Sequence, residues 1–179
     1  MTERPRRRFL HKLYLVLLER RDGPSIRNGR SLWGLQRPMA YETGPDHSHR
    51  ITVPAGFVTD LASVPRLVWS FYPPDGPWVK AAVVHDFLYD TNGDGRWWGK
   101  DWITPARTFT RPEADDILLE GMRDRGIGRW ERTVIWLAVR IGGGSGWRRA
   151  GAQKAERETL RTQIATAAAR PVAAEDEAA

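Results

Sequence analysis

The chain has 179 residues, a net charge of +6 and no cysteine, so disulfide bonds and thiolate metal ligands are excluded. Its length predicts one domain with a tail, and no apolar run approaches the roughly 20 residues that a membrane-spanning helix needs. The positive charge comes mostly from arginine. It fits an anionic lipid or an acidic protein partner, or it reflects a GC-rich genome without functional meaning. No basic stripe with interleaved aromatic residues is visible, so no nucleic-acid-binding motif is assigned.

The N-terminal third predicts a small antiparallel sheet. Residues 9–18, 32–42 and 49–58 combine aliphatic, β-branched and aromatic side chains, and the turn-forming residues 43–46 separate the last two runs. The apolar stretch 13–18 is interpreted as a buried strand, because it is too short for a signal peptide and lacks a small-residue cleavage site.

Three helices are predicted in the second half of the chain. A proline-rich turn over residues 72–77 precedes a helix over 78–90. A second helix begins near Pro112 with acidic residues in its first turns, which complement the helix dipole, and it runs to about Arg125. A third helix covers 129–141. The face expected to pack carries Val134, Leu137, Ala138 and Ile141.

These elements predict an α+β fold, with a small N-terminal antiparallel sheet followed by two antiparallel site-bearing helices and a third packing helix. Residues 1–8 are expected to form a basic arm and residues 9–147 a single globular domain that the glycine-rich run 142–146 terminates. Residues 148–179 are rich in alanine, and we expect them to be loosely helical and then disordered.

His85 and Asp86 are adjacent on the first predicted helix, and Tyr89 lies one turn beyond His85 on the same face. A buried carboxylate is costly unless it is paired, hydrogen-bonded or metal-bound. The pair therefore indicates either a salt-bridged structural pair or a functional site. Asp115, at the start of the second helix, is placed to hydrogen-bond the imidazole Nδ1 and to fix its tautomer.

Upstream, Asp60 and Ser63 lie in a predicted loop just before Pro65, a suitable place for oxygen ligands. An imidazole base that a carboxylate orients, beside a cation at a second carboxylate, can activate water against an ester.

The motif His85-Asp86-x-x-Tyr89 resembles the His-Asp-x-x-Tyr core of phospholipase A2 enzymes, in particular the compact bacterial and fungal branch. The resemblance implies that His85 deprotonates water, that Asp115 orients His85, and that Tyr89 is a supporting hydrogen-bond donor. It also implies a bound calcium ion that polarises the ester carbonyl. The calcium ligands it implies are Asp60, the carbonyl of Leu61 and Asp86.

A wider pattern is similar to an uncharacterised phage and prophage family, domain of unknown function 1353, over roughly residues 9–145. The residues that carry this resemblance are Asp60, Ser63, Pro65, His85, Asp86, Tyr89, Arg111, Ala114, Asp115 and Met122. The resemblance implies a phage-encoded protein. Because no signal peptide is visible, we expect it in the host cytoplasm or the phage particle, with anionic lipid or other phage proteins as partners.

A second calcium site is predicted directly after the first helix. Asp90, Asn92 and Asp94 fit positions 1, 3 and 5 of an EF-hand loop, with Gly95 at position 6 and Asp101 at position 12. The alternative is a polar turn of the Asn-Gly and Asp-Gly kind without metal.

Two further groups allow two interpretations each. His47 and His49 are either part of an exposed turn or metal ligands as in metal-dependent phosphohydrolases, which would require a helix at this position. Trp97, Trp98 and Trp102 either pack over the helix pair or form a partner surface.

The leading hypothesis is a calcium-dependent, phospholipase A2-like hydrolase site in a phage-encoded protein. The alternative is a non-enzymatic phage particle or assembly protein, in which His85, Asp86 and Asp115 form a buried polar network that holds two helices together. The hydrolase hypothesis requires that the oxygens of Asp60 and Asp86 converge and that His85 faces an open cleft.

Overall fold

A computed structural model of the chain describes residues 8–20, 23–24, 26–27, 30–61 and 76–154, and for residues 20, 23–24, 26–27 and 30 the description is limited to the backbone. The fold is α+β, as predicted, with short antiparallel strands before the helices. Ser63, most of the predicted basic arm and the tail beyond residue 154 lie outside the described residues.

The described residues form twelve short strands. They are β1 Leu15–Leu17, β2 Glu19–Arg20, β3 Gly23–Pro24, β4 Ile26–Arg27, β5 Arg30–Ser31, β6 Trp33–Leu35, β7 Met39–Thr43, β8 His49–Val53, β9 Val58–Thr59, β10 Arg96–Trp97, β11 Lys100–Asp101 and β12 Ile103–Thr104.

Two three-stranded antiparallel sheets are built from the strands before the first helix, with β12 joining the second sheet from the segment that follows this helix. One has the order β1-β6-β9 and the other β12-β8-β7. The predicted strands 32–42 and 49–58 are therefore wrong in extent, because each is divided between the two sheets. Both divisions occur at a proline, Pro38 in the first and Pro54 in the second. Proline lacks the backbone N–H that a continuous ladder requires.

The four helices of the described chain are α1 Val79–Asp90, α2 Arg111–Asp124, α3 Arg129–Gly142 and α4, residues 144–154. The first three match the predicted ranges closely. Helix α2 begins with a capping box, in which the Thr110 and Glu113 side chains each bind the other's backbone N–H. The glycine-rich run 142–146 ends α3, but the chain re-enters a helix within it.

Helices α1 and α2 run antiparallel and lie very close together. Ala81 faces Gly121 at one end of the pair, and Tyr89 contacts Asp115 at the other. A Cβ on Gly121 would lie 2.9 Å from the Cβ of Ala81, so glycine permits this approach. The two helices therefore hold the residues between them in a narrow, buried seam.

Two apolar clusters form the core. The larger lies between the sheets and α1 and includes Tyr41, Phe57 and Phe87, whereas the smaller joins α2 to α3. In α3 the buried residues are Ile135 and Val139. Half of the predicted packing face of this helix is wrong, because Leu137 and Ile141 are 48% and 78% exposed. Val134 and Ala138 on that face pack partly buried against the smaller cluster.

The segment after the glycine-rich run packs back onto the domain. The rings of Trp147 and Tyr89 lie 5.1 Å apart between centroids, and Lys154 is ion-paired with Asp94. Among the predicted tryptophan cluster, Trp97 and Trp102 pack partly buried against the larger core. Trp98 is instead 77% exposed in the turn between β10 and β11. In the described chain, no helix has the length and apolar character that membrane crossing requires.

Candidate functional site

The carboxylate of Asp115 is the centre of a buried polar network between α1 and α2. It is completely buried, and its Oδ1 accepts a hydrogen bond of 2.7 Å from the Tyr89 hydroxyl. The same oxygen lies 3.1 Å from Nε2 of His85. His85 and Tyr89 both reach it because residues four apart share a face of a helix, and their rings stack with centroids 4.2 Å apart.

The orientation of the His85 ring differs from the prediction. Asp115 was expected to bind Nδ1, and this is wrong, because Asp115 faces Nε2. Nδ1 instead points toward Asp86, whose Oδ1 is 4.0 Å away. With its proton on Nε2, a neutral imidazole donates to Asp115 and carries its lone pair on the Asp86 side.

Two arginines complete the surroundings of Asp115. Arg111 Nη1 lies 3.5 Å and Arg140 Nε 3.6 Å from Oδ2 of Asp115. Sequence reasoning missed both. The signal for Arg111 was present, because an arginine four residues before an aspartate on a helix forms an ion pair. Arg140 comes from α3, and no local pattern connects it to Asp115.

The network raises the pKa of His85 and lowers that of Asp115. Burial alone lowers the pKa of His85, but hydrogen bonds and charges from Asp115 and Asp86 outweigh it and raise the pKa above 6.5. Burial alone raises the pKa of Asp115. Hydrogen bonds from His85 and Tyr89, with the nearby charges of His85 and Arg111, outweigh it and lower the pKa below 3.8. Burial and the adjacent carboxylate raise the pKa of Tyr89, which therefore stays a hydroxyl donor.

Strand β9 brings the loop of Asp60 next to the helix of Asp86. The hydroxyl of Thr59 donates to Oδ2 of Asp86 and accepts a hydrogen bond of 2.9 Å from the backbone N–H of Leu61. Asp60 lies half-buried between these two residues, and Leu61 adopts a left-handed backbone with φ of 53°. The Asp86 side chain is 15% exposed and that of His85 3%, so solvent reaches the pair from the aspartate.

The ligand atoms available near Asp86 are oxygens, the type of donor that a hard cation prefers. Carboxylate and carbonyl oxygens are the ligands that calcium takes in proteins, and Asp60, Asp86 and the Leu61 carbonyl are of this type. Across the described residues, no three side chains of histidine, aspartate or glutamate group as a metal site. A cation here would therefore rely on backbone or water oxygens beside its two carboxylates.

Two of the three acids of the second predicted calcium loop have cationic partners. Asp94 is ion-paired with Lys154, and Asp101 lies 3.0 Å from Arg96. The side chain of Asn92 donates to the carbonyl of Trp147, 3.4 Å away. These contacts are those of a polar turn that joins α1 to the β10–β11 hairpin and to α4. Calcium binding by Asp90, Asn92, Asp94 and Asp101 stays a prediction.

Two of the three other histidines, His47 and His49, were candidates for a metal site and lie apart from this network. His47 Nδ1 is 3.1 Å from Oε2 of Glu42, within a 3-10 turn before β8, and not on the α-helix that a phosphohydrolase arrangement needs. His49 helps to line a surface cavity of about 450 Å³, together with Arg8, Arg107, Glu113 and Glu120. Those charged residues pair with one another, Arg107 with Glu113 and Arg8 with Glu120.

Comparison with known sequences gives one match. The profile of a family described as protein of unknown function (DUF1353) matches residues 33–139, from β6 into α3. No curated protein and no solved structure matches the chain. The matched range contains Thr59, Asp86, His85 and Asp115, so the polar network, except for Arg140, lies in the part that the family shares.

Proposed function

This chain belongs to the DUF1353 family of proteins of unknown function, and we propose that His85 and Asp115 are the centre of a calcium-dependent ester hydrolase site of phospholipase A2 type, in a phage-encoded protein. The observation that carries the proposal is the 3.1 Å contact of Asp115 with Nε2 of His85. It leaves Nδ1 directed at the partly exposed Asp86. An imidazole that a buried carboxylate orients through one nitrogen, with its other nitrogen toward a partly exposed carboxylate, is the arrangement of a general base.

In the proposed reaction, His85 Nδ1 takes a proton from a water molecule, and the water oxygen attacks the carbonyl carbon of an ester. The ester C–O bond then breaks, and the leaving alcohol oxygen takes the proton back from the imidazolium. Asp115 stabilises that imidazolium through Nε2. Its own charge is held by the hydroxyl of Tyr89 and by the two arginines.

Asp60, Asp86 and the carbonyl of Leu61 would hold the calcium ion. When bound, calcium supplies positive charge that polarises the ester carbonyl and stabilises its oxygen as negative charge develops. The hydroxyl of Thr59 fixes the rotamer of Asp86 by donating to Oδ2. The hydrogen bond from Leu61 N–H to Thr59 ties the loop of Asp60 to the same point.

Calorimetric titration with calcium chloride tests the metal part. Wild type is expected to bind, Asp86→Ala to lose binding, and Asp94→Ala, in the second loop, to retain it. Equal, negligible heats for wild type and Asp86→Ala would overturn this part. If Asp94→Ala abolished binding, the calcium site would be assigned to the second loop.

Release of fatty acid from phospholipid vesicles with calcium present tests the chemistry. The His85→Ala variant is expected to lose activity while its circular dichroism spectrum stays that of wild type. Unchanged release by this variant would contradict the proposal, and so would the absence of release from wild type.

One observation favours the non-enzymatic alternative. The His85 side chain is only 3% exposed, and the network links three helices through Asp115. In a particle or assembly protein such a network would fix the helix packing without any catalysis. This alternative predicts no calcium heat and no ester hydrolysis, with a large loss of stability when Asp115 is replaced.

A further inference from the structure

Helix α3 carries apolar side chains on two opposite faces. Ile135 and Val139 are buried against α2. On the other side, Trp130, Leu137 and Ile141 are 79%, 48% and 78% exposed. Their spacing of seven and four residues places them in one row along the helix. We name Trp130, Val134, Leu137 and Ile141 the outer stripe.

The outer stripe is too apolar for a face that stays in water. Single exposed apolar residues are common on protein surfaces, but a continuous row of large ones marks an interaction site. Val134 in the middle of the row is half-buried, so the row joins the packed part of the helix without a polar break. Nothing in the described part of the chain covers Trp130 or Ile141.

The positive charge of the chain is concentrated in the same region. Residues 123–154 contain eight arginines and lysines and two acids, so this segment alone carries a net charge equal to the +6 of the whole chain. Arg129 at the start of α3 and Arg148 and Arg149 in α4 are exposed. The remainder of the chain is neutral in sum. Arg140 and Lys154 of this segment are paired with acids elsewhere in the chain. The asymmetry that the other cations leave favours an anionic partner for the part of the chain that carries the stripe.

We infer that the outer stripe docks on an anionic lipid surface, with α3 lying in the plane of the interface. A helix with large apolar residues on one side and arginines beside them is typical of segments that bind the boundary between headgroups and acyl chains. Trp130 suits that boundary because its ring is apolar and its indole N–H is polar. Flanking arginines bind the phosphate groups.

The charge distribution argues against two other partners for the outer stripe, a second copy of the chain and a nucleic acid. In a symmetric dimer through the stripe, each copy would present its most basic segment to the same segment of the other, which is repulsive. A nucleic acid would neutralise the arginines but leave the indole of Trp130 and the side chain of Ile141 in water.

This inference rests on the proposed function only to explain why the protein would bind lipid, because an ester hydrolase of phospholipase type finds its substrate at a lipid surface. Docking itself needs no turnover. It can therefore be measured with EDTA present, and its failure is distinguishable from failure of the hydrolase proposal.

Co-sedimentation of the full chain with vesicles is the test. Vesicles of equal parts phosphatidylcholine and phosphatidylglycerol are expected to bind the protein, with binding that falls as salt rises. Vesicles of phosphatidylcholine alone are expected to bind it weakly. The double variant Trp130→Ser, Ile141→Ser should weaken binding to the anionic vesicles by about tenfold or more, because two large side chains no longer enter the interface.

Trp98→Ser is the matched control. Trp98 is 77% exposed, like Trp130, but lies in the β10–β11 turn, and its replacement is expected to leave binding unchanged. Both altered positions of the double variant are solvent-exposed, so circular dichroism should show an unchanged fold. Equal binding by the double variant, or equal binding to both kinds of vesicle, would overturn the inference. A wild-type dimer in ultracentrifugation that the double variant dissociates would overturn it in favour of self-association.

Discussion

The hydroxyl of Tyr89 fills the place that a side chain on Gly143 would need, because a Cβ at Gly143 would lie 2.3 Å from the Tyr89 oxygen. That hydroxyl is also the group that donates the 2.7 Å hydrogen bond to Asp115. The junction of α3 and α4 therefore fits around a member of the polar network. A change in the glycine-rich run can reach the site through this one contact.

Gly143→Ala should be destabilising by about 1–3 kcal/mol, because the new methyl group forces Tyr89 away from Asp115 or shifts the backbone. Gly142→Ala is the control. No atom lies within 4 Å of a Cβ at Gly142, and this residue is helical. The control should be neutral or stabilise the protein by about 0.5–1 kcal/mol. Urea unfolding measures both, and equal effects at the two glycines would contradict the steric explanation.

Asp115→Ala should cost about 3–5 kcal/mol of folding free energy, because it leaves His85, Arg111 and Arg140 without their common anion in a buried seam. Asp116→Ala is the matched change at the next position. The Asp116 side chain is 60% exposed and bonds to Arg140 at the surface, so its loss should cost no more than about 1 kcal/mol. Chemical denaturation of the two variants compares them directly, and similar losses would show that Asp115 contributes only as a surface carboxylate does.

Acidification should remove the contribution of Asp115. The pKa of this residue lies below 3.8 in the folded state, because hydrogen bonds and neighbouring positive charges outweigh its burial. The unfolded chain therefore takes up the proton first. The stabilisation is complete above the unfolded pKa and disappears as pH falls through the folded one.

The urea midpoint from about pH 6 to about pH 3 measures this effect. Wild type should lose stability more steeply than Asp115→Asn, which cannot titrate at this position. Other carboxylates contribute equally to both curves, so the difference between the curves reports Asp115 together with His85, whose pKa Asp115 raises. Parallel curves would contradict the prediction.

Thr110→Ala should destabilise the protein by about 1 kcal/mol through the start of α2. The Thr110 hydroxyl accepts from the backbone N–H of Glu113, and the Glu113 carboxylate accepts from the N–H of Thr110 at 2.7 Å. Thr108→Ala changes an exposed threonine of the preceding loop and should have no measurable effect. Thermal unfolding of both variants makes the comparison. An equal loss of stability in the two variants would show that it comes from removing any threonine and not from losing the helix cap.

The helices could be predicted because their signals are local. The Thr110-x-x-Glu113 box marks the start of α2, and glycines follow the ends of α2 and α3. The contact of Asp115 with His85 was also predictable, because two helices that pack antiparallel bring their facing residues together. The phospholipase A2 resemblance pointed to the same pair.

The other features of the fold and of the site depend on contacts that no local sequence pattern specifies. Each of the two predicted strands that were too long is in fact two strands, separated by a proline and belonging to different sheets. Which sheet each piece joins depends on its pairing partners and not on β-propensity. In α3 two apolar faces compete for the core, and packing against α2 selects Ile135 and Val139. The side of the His85 ring that meets Asp115 depends on a rotamer, and Arg140 joins the network only through tertiary structure.

The network also has a consequence for the kinetics of folding. Three of its contacts join residues that are far apart in the chain: Thr59 with Asp86, His85 with Asp115, and Asp115 with Arg140 from a third helix. None of them can form within an isolated hairpin or helix, so each must wait for chain segments to meet, and loop closure slows this step. The ring-proton resonances of His85 should therefore report completion of the whole domain, and they should reach native positions only in the last phase of refolding.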